Sequence, residues 1–276
     1  MSTFSQLILP PKNLASCIAG CIVRDTRTME LSLPDRVNYF PASPLYSITL
    51  TIEGQIHLSD KFLAPEDMID QPVAPKRLFQ APKDAPHMSW NPGPLLAMTI
   101  AIFPDAWLKL GGTLKGEAPE DIQHILPILE TLPIEVAWPK FCAEMALIWH
   151  HSKEGNQVSR WVGSDRVRDW THHLFAQIAH SGPSRSIRTL QRRLQRWTGF
   201  TRKELEFYSK VEEVHRIITT EPAAHPVDIA SDAGFSDQSH MGRAIKRATG
   251  FSPVSLNQKI AIEEPFWCYR LLGERF

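Results

Sequence analysis

The feature that most constrains this chain is an internal repeat in its last hundred residues. Residues 186–202 and 236–253 each run through a basic, amphipathic stretch into the triplet Thr-Gly-Phe. Aligned on that triplet, the matched positions are Leu190 with Met241, Leu194 with Ile245, and Arg192 with Arg243. Each copy follows a short helical pattern and a tight break. A unit repeated with the same polarity predicts two helix-turn-helix motifs joined by one helix.

Capping signals set the expected ends of the two repeated helices. Ser186 and Ser236 each precede a helical pattern, and serine is a preferred N-cap residue. A glycine follows each pattern, where a left-handed residue would end the helix. We therefore expect recognition helices over about 186–197 and 236–249.

Other helices are expected before and between these two. Residues 164–179 place apolar side chains on one helical face. Thr201 and Glu204 have the spacing of a capping box, which opens a long helix through about Thr219. A short helix over 227–233 then precedes the second recognition helix.

Positive charge is concentrated in the same region. From Arg160 to the end, 18 Lys and Arg stand against 13 Asp and Glu, so this part carries a net charge of +5 and the rest −5. No acidic residue lies between Arg185 and Lys203. Such a stripe suits a polyanion such as DNA. A solvated basic helix face is the alternative.

Residues 227–253 resemble a known DNA-binding pattern. Their Ile-Ala, Gly-Phe-Ser, Arg, Lys and Thr-Gly-x-Ser-Pro elements are similar to the second DNA-reading unit of the AraC/XylS family of bacterial transcription regulators. The run 188–199 is similar to that family's first recognition helix. The resemblance covers about 160–256, and the tail 263–276 looks like an extension found in one branch of the family. Ile245 departs from the pattern because an aromatic residue is usual there.

The side chains opposite the apolar face are the candidate DNA contacts. Arginine can bond guanine in two places and glutamine can pair with adenine. The helical face and the family resemblance both assign base reading to Arg188, Gln191, Arg192, Gln238, Ser239, His240 and Arg243. Phosphate contacts, which position a protein without reading sequence, are assigned to Arg193, Arg196, Lys203, Lys246 and Arg247. Two helices held by one rigid helix are expected to enter successive major grooves, about 10 bp apart.

The first half of the chain predicts short strands. Seventeen of the 22 prolines precede residue 140, and proline-dense segments do not form long helices. Strands are expected at 45–52, 55–58 and 95–103, with a turn at Gly54 between the first two. A small sheet or partial barrel follows from this pattern, and the family resemblance implies a cupin-like domain.

Helical patterns at 119–132 and 139–151 complete the first half. The predicted fold class is α+β: a β-rich domain with helices, followed by an all-α domain. We expect an effector-binding or dimerisation domain over 1–155. A DNA-binding double helix-turn-helix domain with a C-terminal extension is expected over 160–276, after a polar linker.

Two weaker constellations invite other interpretations. Cys17 and Cys21 resemble a fragment of the zinc-held, methyl-accepting domain of a DNA repair protein, but zinc needs four ligands and a second close pair is missing. Two buried small side chains are the favoured interpretation. The large aromatics could line an effector pocket, although core packing explains them more simply. They are Trp90, Trp107, Trp138, Phe79 and Phe103.

These patterns predict a sequence-specific, DNA-binding transcription regulator rather than an enzyme, with no cofactor and no metal. Its partner would be a double-stranded operator. An effector of unknown identity, RNA polymerase contact for an activator, and a homodimer are implied by the resemblance. An effector-independent architectural DNA binder is the alternative without sensing. With no signal peptide pattern and no apolar run long enough for a bilayer, a cytoplasmic location is expected.

Overall fold

The computed structural model describes residues 5–152, 166–182, 186–221 and 224–273. Its first part contains two antiparallel sheets. The strands are β1 (Ser5–Ile8), β2 (Ile18–Asp25), β3 (Val37–Phe40), β4 (Tyr46–Glu53), β5 (His57–Ser59), β6 (Arg77–Gln80), β7 (His87–Trp90) and β8 (Leu96–Ile102). The larger sheet has the order β1-β2-β8-β4-β6, and the smaller has the order β3-β7-β5.

The larger sheet separates two environments because successive side chains of a strand point to opposite faces. On β4, Tyr46, Ile48 and Leu50 are fully buried in the main apolar core. The alternate residues of the same strand, including Thr49 and Thr51, line a cavity on the other face. One face of the larger sheet therefore packs in the core, and the other face lines the cavity.

The turn expected at Gly54 is formed, but the two strands that it connects do not pair with each other. Gly54 turns the chain with a φ of 88°. The strand β4 already pairs with β8 on one edge and β6 on the other, so no edge is left for the next strand. The chain instead crosses to the smaller sheet, where β5 pairs with β7.

Four helices follow the sheets and pack against them. They are α1 (Pro104–Lys109), α2 (Glu120–Ile125), α3 (Pro127–Thr131) and α4 (Ile134–Ser152). The helix expected over 119–132 is divided, because Pro127 opens a new helix at its first position. The helix expected from Pro139 begins at Ile134 instead. Pro139 lies within α4 on its exposed side.

The C-terminal part is helical, as predicted. Its helices are α5 (Val167–His180), α6 (Ile187–Thr198), α7 (Arg202–Thr220), α8 (Pro226–Asp232), α9 (Gln238–Thr249), α10 (Pro253–Ile262) and α11 (Trp267–Gly273). The capping box of α7 is formed by Thr201 and Glu204. Short 3-10 turns occur at Pro34–Arg36, Pro65–Asp70 and Glu264–Phe266. No helix in these ranges has the length and apolar character needed to cross a bilayer.

The cap of α9 differs from the predicted one. Asp237, rather than Ser236, is the N-cap, and its Oδ1 accepts a hydrogen bond from His240 N at 2.7 Å. Ser236 Oγ instead donates to Asp237 Oδ2 at 2.9 Å. A carboxylate suits this position because the amide groups of a helix N-terminus carry partial positive charge. Aligned on Thr-Gly-Phe, Asp237 matches Ser186, so α6 and α9 are both 12 residues long.

The main apolar core joins the two parts of the chain. It contains residues of the larger sheet and α1–α4 together with α5, α6 and α7. Trp170 of α5 donates its Nε1 hydrogen to Asp105 Oδ1 of α1 at 2.8 Å. A second core lies among α7, α8, α9 and α10. The expected boundary at 155–160 lies outside the described residues and stays a prediction.

Candidate nucleic-acid interface

Two helix-turn-helix units stand on either side of α7. In the first, α5 precedes α6, and in the second, α8 precedes α9. The second turn is made by Gly234, whose φ is 77°, a conformation that favours glycine. Lys210 of α7 donates a hydrogen bond to the Gly234 carbonyl oxygen and lies 5.3 Å from the centre of the Phe235 ring. The linker helix thus holds the turn of the second unit.

The apolar faces of both recognition helices are turned into the protein, as predicted. Leu194 of α6 is buried, while Leu190 and Trp197 are half-buried against the main core. In the second unit, Met241 and Ile245 are buried in the second core. Phe235 is buried beside them.

The opposite faces of both helices are open to solvent. All seven residues predicted to read bases are exposed, namely Arg188, Gln191, Arg192, Gln238, Ser239, His240 and Arg243. Among the described residues, none of Arg188, Arg192 and Arg243 forms an ion pair.

His240 is the most constrained of the seven. Its Nδ1 lies 3.1 Å from Ser236 Oγ, and its ring meets the Phe235 ring edge-on at 5.3 Å between centroids. Its backbone amide donates to the carboxylate of Asp237, three residues earlier in the chain. These contacts order the imidazole beside the N-terminus of α9, which periodicity alone could not indicate.

The predicted phosphate contacts form a second, more varied group. Arg196, Lys203, Lys246 and Arg247 are exposed, and Arg193 is half-buried. A Cβ added to Gly182 would lie 2.5 Å from Arg193 Nη2, so Arg193 packs over the chain between α5 and α6. Arg247 places its guanidinium carbon 4.6 Å from the centre of the Phe207 ring on α7.

Two glutamates of α7 fix the first unit and were missed by sequence reasoning. Glu212 accepts hydrogen bonds from the backbone amides of Val167 and Arg168 at 2.9 and 3.0 Å, which satisfies the N-terminus of α5. The carboxylate of Glu213 lies 2.8 Å from nitrogens of Arg166, Arg168 and Arg216. The spacing of Glu213 and Arg216 on α7 is typical of a helical pair, but the sequence gives no sign that Arg166 and Arg168 meet them.

The ionisation of Glu213 reflects this cluster. Burial by itself would raise the pKa of Glu213, because a buried carboxylate loses hydration. Hydrogen bonds from Arg216 and Arg168 outweigh burial and hold the pKa of Glu213 below its ordinary value. The carboxylate is therefore charged at neutral pH and connects α5 to α7.

A family comparison decides what this arrangement is. Residues 184–259 match a family model described as a helix-turn-helix domain, which is of the AraC type. This segment is an AraC-type helix-turn-helix domain. Domains of this type bind DNA in transcription regulation.

Solved structures show a more distant likeness over most of the chain. ToxT from Vibrio cholerae O395 has a TM-score of 0.38 and 10% identity, over 81% of this chain and 94% of that one. ToxT of strain SCE256 bound to an unsaturated fatty acid has a TM-score of 0.35 and 12% identity, over 80% and 94%. The AraC-like activator CuxR has a TM-score of 0.31 and 12% identity, over 98% and 99%. No curated protein sequence matches the chain.

The N-terminal part contacts both units of the AraC-type domain. Ala42 N donates to the carbonyl oxygen of Ala248, at the end of α9, at 2.7 Å. Near the end of α6, a Cβ added to Gly199 would lie 2.8 Å from Leu114. Phe62 covers Gly250 at the equivalent place in the second unit. Loops of the N-terminal part therefore touch the C-terminal ends of both recognition helices.

A cavity of about 580 Å³ lies between the sheets and the AraC-type domain. The larger sheet contributes the hydroxyl groups of Thr49 and Thr99, which are 3.0 Å apart. The AraC-type domain contributes His215 and Ile218 of α7. Most of the lining is apolar, and both parts of the chain form it.

Arg24 is the charged group in the wall that is most deeply buried, with 4% of its surface exposed. Its Nη1 donates to Ser5 Oγ at 2.8 Å, and its Nη2 lies 2.8 Å from Glu264 Oε1. Its guanidinium carbon is 4.9 Å from the centre of the Trp267 ring. Among the described residues, Nε has no hydrogen-bond partner. Burial lowers the pKa of Arg24, an effect that the Glu264 carboxylate opposes.

The predicted aromatic residues do not line this cavity. Trp107, Trp138 and Phe103 are in the main core, and Phe79 packs against it. Trp90 belongs to a small separate core. The core interpretation is therefore confirmed for all five. The signal that could have indicated the cavity is the alternation of hydroxyl and large apolar side chains along β4.

The cysteines occupy the positions expected of small core side chains. Cys17, Cys21, Cys142 and Cys268 are free and buried. Burial raises the pKa of Cys142 to about 12 and also raises that of Cys21, so both thiols keep their protons at neutral pH. In the described ranges, no three His, Cys, Asp or Glu side chains group as metal ligands.

Proposed function

We propose that this chain is a transcription regulator that reads two half-sites with α6 and α9 in successive major grooves on one face of DNA. The observation that carries the proposal is the matched pair of capped, 12-residue helices with exposed arginines and glutamines. An α-helix fits the major groove, where arginine and glutamine distinguish base pairs. Base reading falls to Arg188, Gln191, Arg192, Gln238, Ser239, His240 and Arg243. Phosphate contact falls to Arg193, Arg196, Lys203, Lys246 and Arg247.

The spacing of the half-sites follows from the linker. The helix α7 spans Arg202–Thr220, opens with a capping box, and is joined to α5 through Glu212 and Glu213. Such a helix fixes the separation of the two units. Recognition helices held in this way suit half-sites about one helical turn, roughly 10 bp, apart.

Selection of bound DNA from a random library, with the full chain, tests this proposal. We expect a two-part motif with its halves about 10 bp apart. Footprinting of a selected site should show protection in two consecutive major grooves. Protection of one groove, or binding without sequence preference, contradicts the proposal.

We further propose that the cavity holds a small-molecule effector that controls DNA binding. A molecule there would touch both the sheets and α7, so it could favour one arrangement of the two parts. Control requires different affinity for two states of the protein. The apolar wall and the unpartnered Nε of Arg24 favour a largely apolar molecule that carries an acidic group.

A panel of small organic acids and matched neutral molecules tests effector control. We expect an acid to raise the melting temperature and to change operator affinity, with a weaker response in an Arg24→Met variant. If no compound changes either quantity, the chain is an effector-independent architectural binder. That result would leave the proposed DNA reading intact.

Assembly and location belong to the same proposal. A regulator of this kind acts in the cytoplasm, where it contacts RNA polymerase when it activates, and a homodimer would use the N-terminal part. The proposed action needs no cofactor and no chemical step. Sedimentation of the full chain with and without operator DNA tests the dimer, and in vitro transcription from the selected site tests activation.

A further inference from the structure

An exposed apolar side chain stands at the start of the first recognition helix. Ile187 is the first residue of α6, directly after the cap Ser186, and 75% of its surface is exposed. The other apolar residues of α6 are turned toward the core. An isoleucine left in water forgoes the free energy of burial. Its place, next to the exposed Arg188, puts it at the end of the helix that would enter the groove.

The repeat gives this position a counterpart. The helices α6 and α9 are equal in length and both end at Thr-Gly-Phe, so Ile187 corresponds to Gln238. Gln238 is exposed and is assigned to base reading. The first unit therefore presents an apolar group where the second presents a hydrogen-bonding one.

The chemistry of the major groove limits what Ile187 can recognise. Base edges there present hydrogen-bond donors, acceptors and one apolar group, the 5-methyl of thymine. Isoleucine has no hydrogen-bonding side-chain atom, so the methyl group is its match. We propose that Ile187 reads a thymine methyl group in the first half-site, beside the base pairs contacted by Arg188 and Arg192. This inference rests on the proposed DNA-reading function.

Replacement of thymine by deoxyuridine removes only the methyl group and tests the inference directly. In a selected site, each thymine is replaced singly, and binding is measured for the full chain and for the Ile187→Ala variant. We expect one thymine of the first half-site to matter, with about fourfold weaker binding by the unchanged protein after its replacement. The Ile187→Ala variant should bind both versions of that site equally.

Ile262 offers a matched control. It is 80% exposed and lies at the far end of α10, so Ile262→Ala makes the same chemical change away from both recognition helices. This variant should keep the full response to deoxyuridine. Equal melting temperatures for the three proteins would show that folding is unchanged.

Two outcomes would contradict the proposed role of Ile187. If Ile187→Ala shows the same deoxyuridine profile as the unchanged protein, Ile187 does not read a methyl group. A change in oligomeric state with that unchanged profile would instead identify a protein contact. If no sequence-specific site is obtained at all, the proposed function fails, which is distinguishable because the first outcome requires specific binding.

Discussion

At the scale of single residues, exposure distinguishes groups that can read bases from groups that pack. Arg192 and Arg243 occupy matched places in the two units, and both are exposed. Arg192→Ala should relax sequence preference at one base position and lower affinity for the selected site by about 1–3 kcal/mol. Repeated selection with the variant checks this. Arg243→Ala should relax the sequence preference at a different base position. If both variants lost preference at the same base position, the assignment would be contradicted.

Lys246 should behave differently because phosphates carry no sequence information. Lys246→Ala is expected to weaken specific and non-specific DNA by about the same factor and to reduce the slope of log K against log salt by about one. Binding titrations at several salt concentrations measure both. A change in sequence preference without a change in salt slope would place Lys246 at a base edge instead.

Helical periodicity predicted which side of each recognition helix faces solvent, because the apolar residues repeat at three and four. The prediction of Ser236 as the cap of α9 was wrong, because Asp237 takes that place. Both residue types cap helices well, and the choice depends on backbone angles that the sequence does not state. The contacts of Arg166 and Arg168 with Glu213 were also not predicted, because these arginines are far from Glu213 in the chain.

At the scale of elements, the cluster around Glu213 joins α5 to the linker helix. Glu213→Gln should lower the free energy of unfolding by about 2–3 kcal/mol at neutral pH, because three arginines lose a charged partner in a largely buried place. Because its pKa is lowered in the folded protein, this stabilisation is present at neutral pH. It is lost as the pH falls through that lowered pKa.

Glu206 supplies the comparison. It pairs with Arg202 on the surface of the same helix, where both side chains are well exposed. Glu206→Gln should therefore change stability by about 0.5 kcal/mol or less. Urea unfolding of both variants at neutral and acidic pH gives the measurement. Equal effects from the two substitutions would show that the buried cluster contributes no more than a surface pair.

Local signals predicted helices better than strand pairing. The caps and stops of α6 and α7 are determined by neighbouring residues, so the sequence shows them. The pairing of β4 with β6 and β8 was not predicted, because strand partners depend on residues that are distant in the sequence. Pro139 likewise suggested a helix start, although the helix begins five residues earlier, at Ile134.

At the scale of the whole molecule, two histidines on the cavity wall predict sensitivity to acid. Burial lowers the pKa of both His87 and His215 from 6.5 to about 4. The unfolded chain therefore binds more protons between these values, and the free energy of unfolding should fall as the pH drops from about 6.5 toward 4. Each histidine should contribute on the order of 2 kcal/mol to this fall.

Equilibrium unfolding at pH 7.0 and pH 5.0 checks this prediction. His87→Gln should reduce the difference in the free energy of unfolding between pH 7.0 and pH 5.0, because glutamine does not titrate. His150→Gln, which alters an exposed histidine of α4, is the control. An unchanged pH dependence in His87→Gln would show that His87 is already protonated or hydrated in the folded protein.

The cavity itself could not be predicted from the sequence. Its wall is assembled from five-strand and three-strand sheets together with α7, α10 and α11, and no short pattern encodes their meeting. The contact between Trp267 Nε1 and Asn38 Oδ1, at 2.7 Å, joins residues 229 positions apart. Only the alternation of hydroxyl and large apolar side chains along β4 indicated that one face of the larger sheet lines a cavity.

The contacts that loops of the N-terminal part make at Ala248 and beside Gly199 have a consequence for operator architecture. Because these loops contact the C-terminal ends of α6 and α9 and α7 joins the two units, we expect the separation of the two helices to be the same with and without DNA. The affinity for an operator would then depend on the length of DNA between the half-sites as much as on the bases within them. Inserting half a helical turn of DNA between the half-sites would leave the sequence of each half-site unchanged. The two recognition helices could no longer bind at the same time, because one half-site would lie on the opposite face of the DNA.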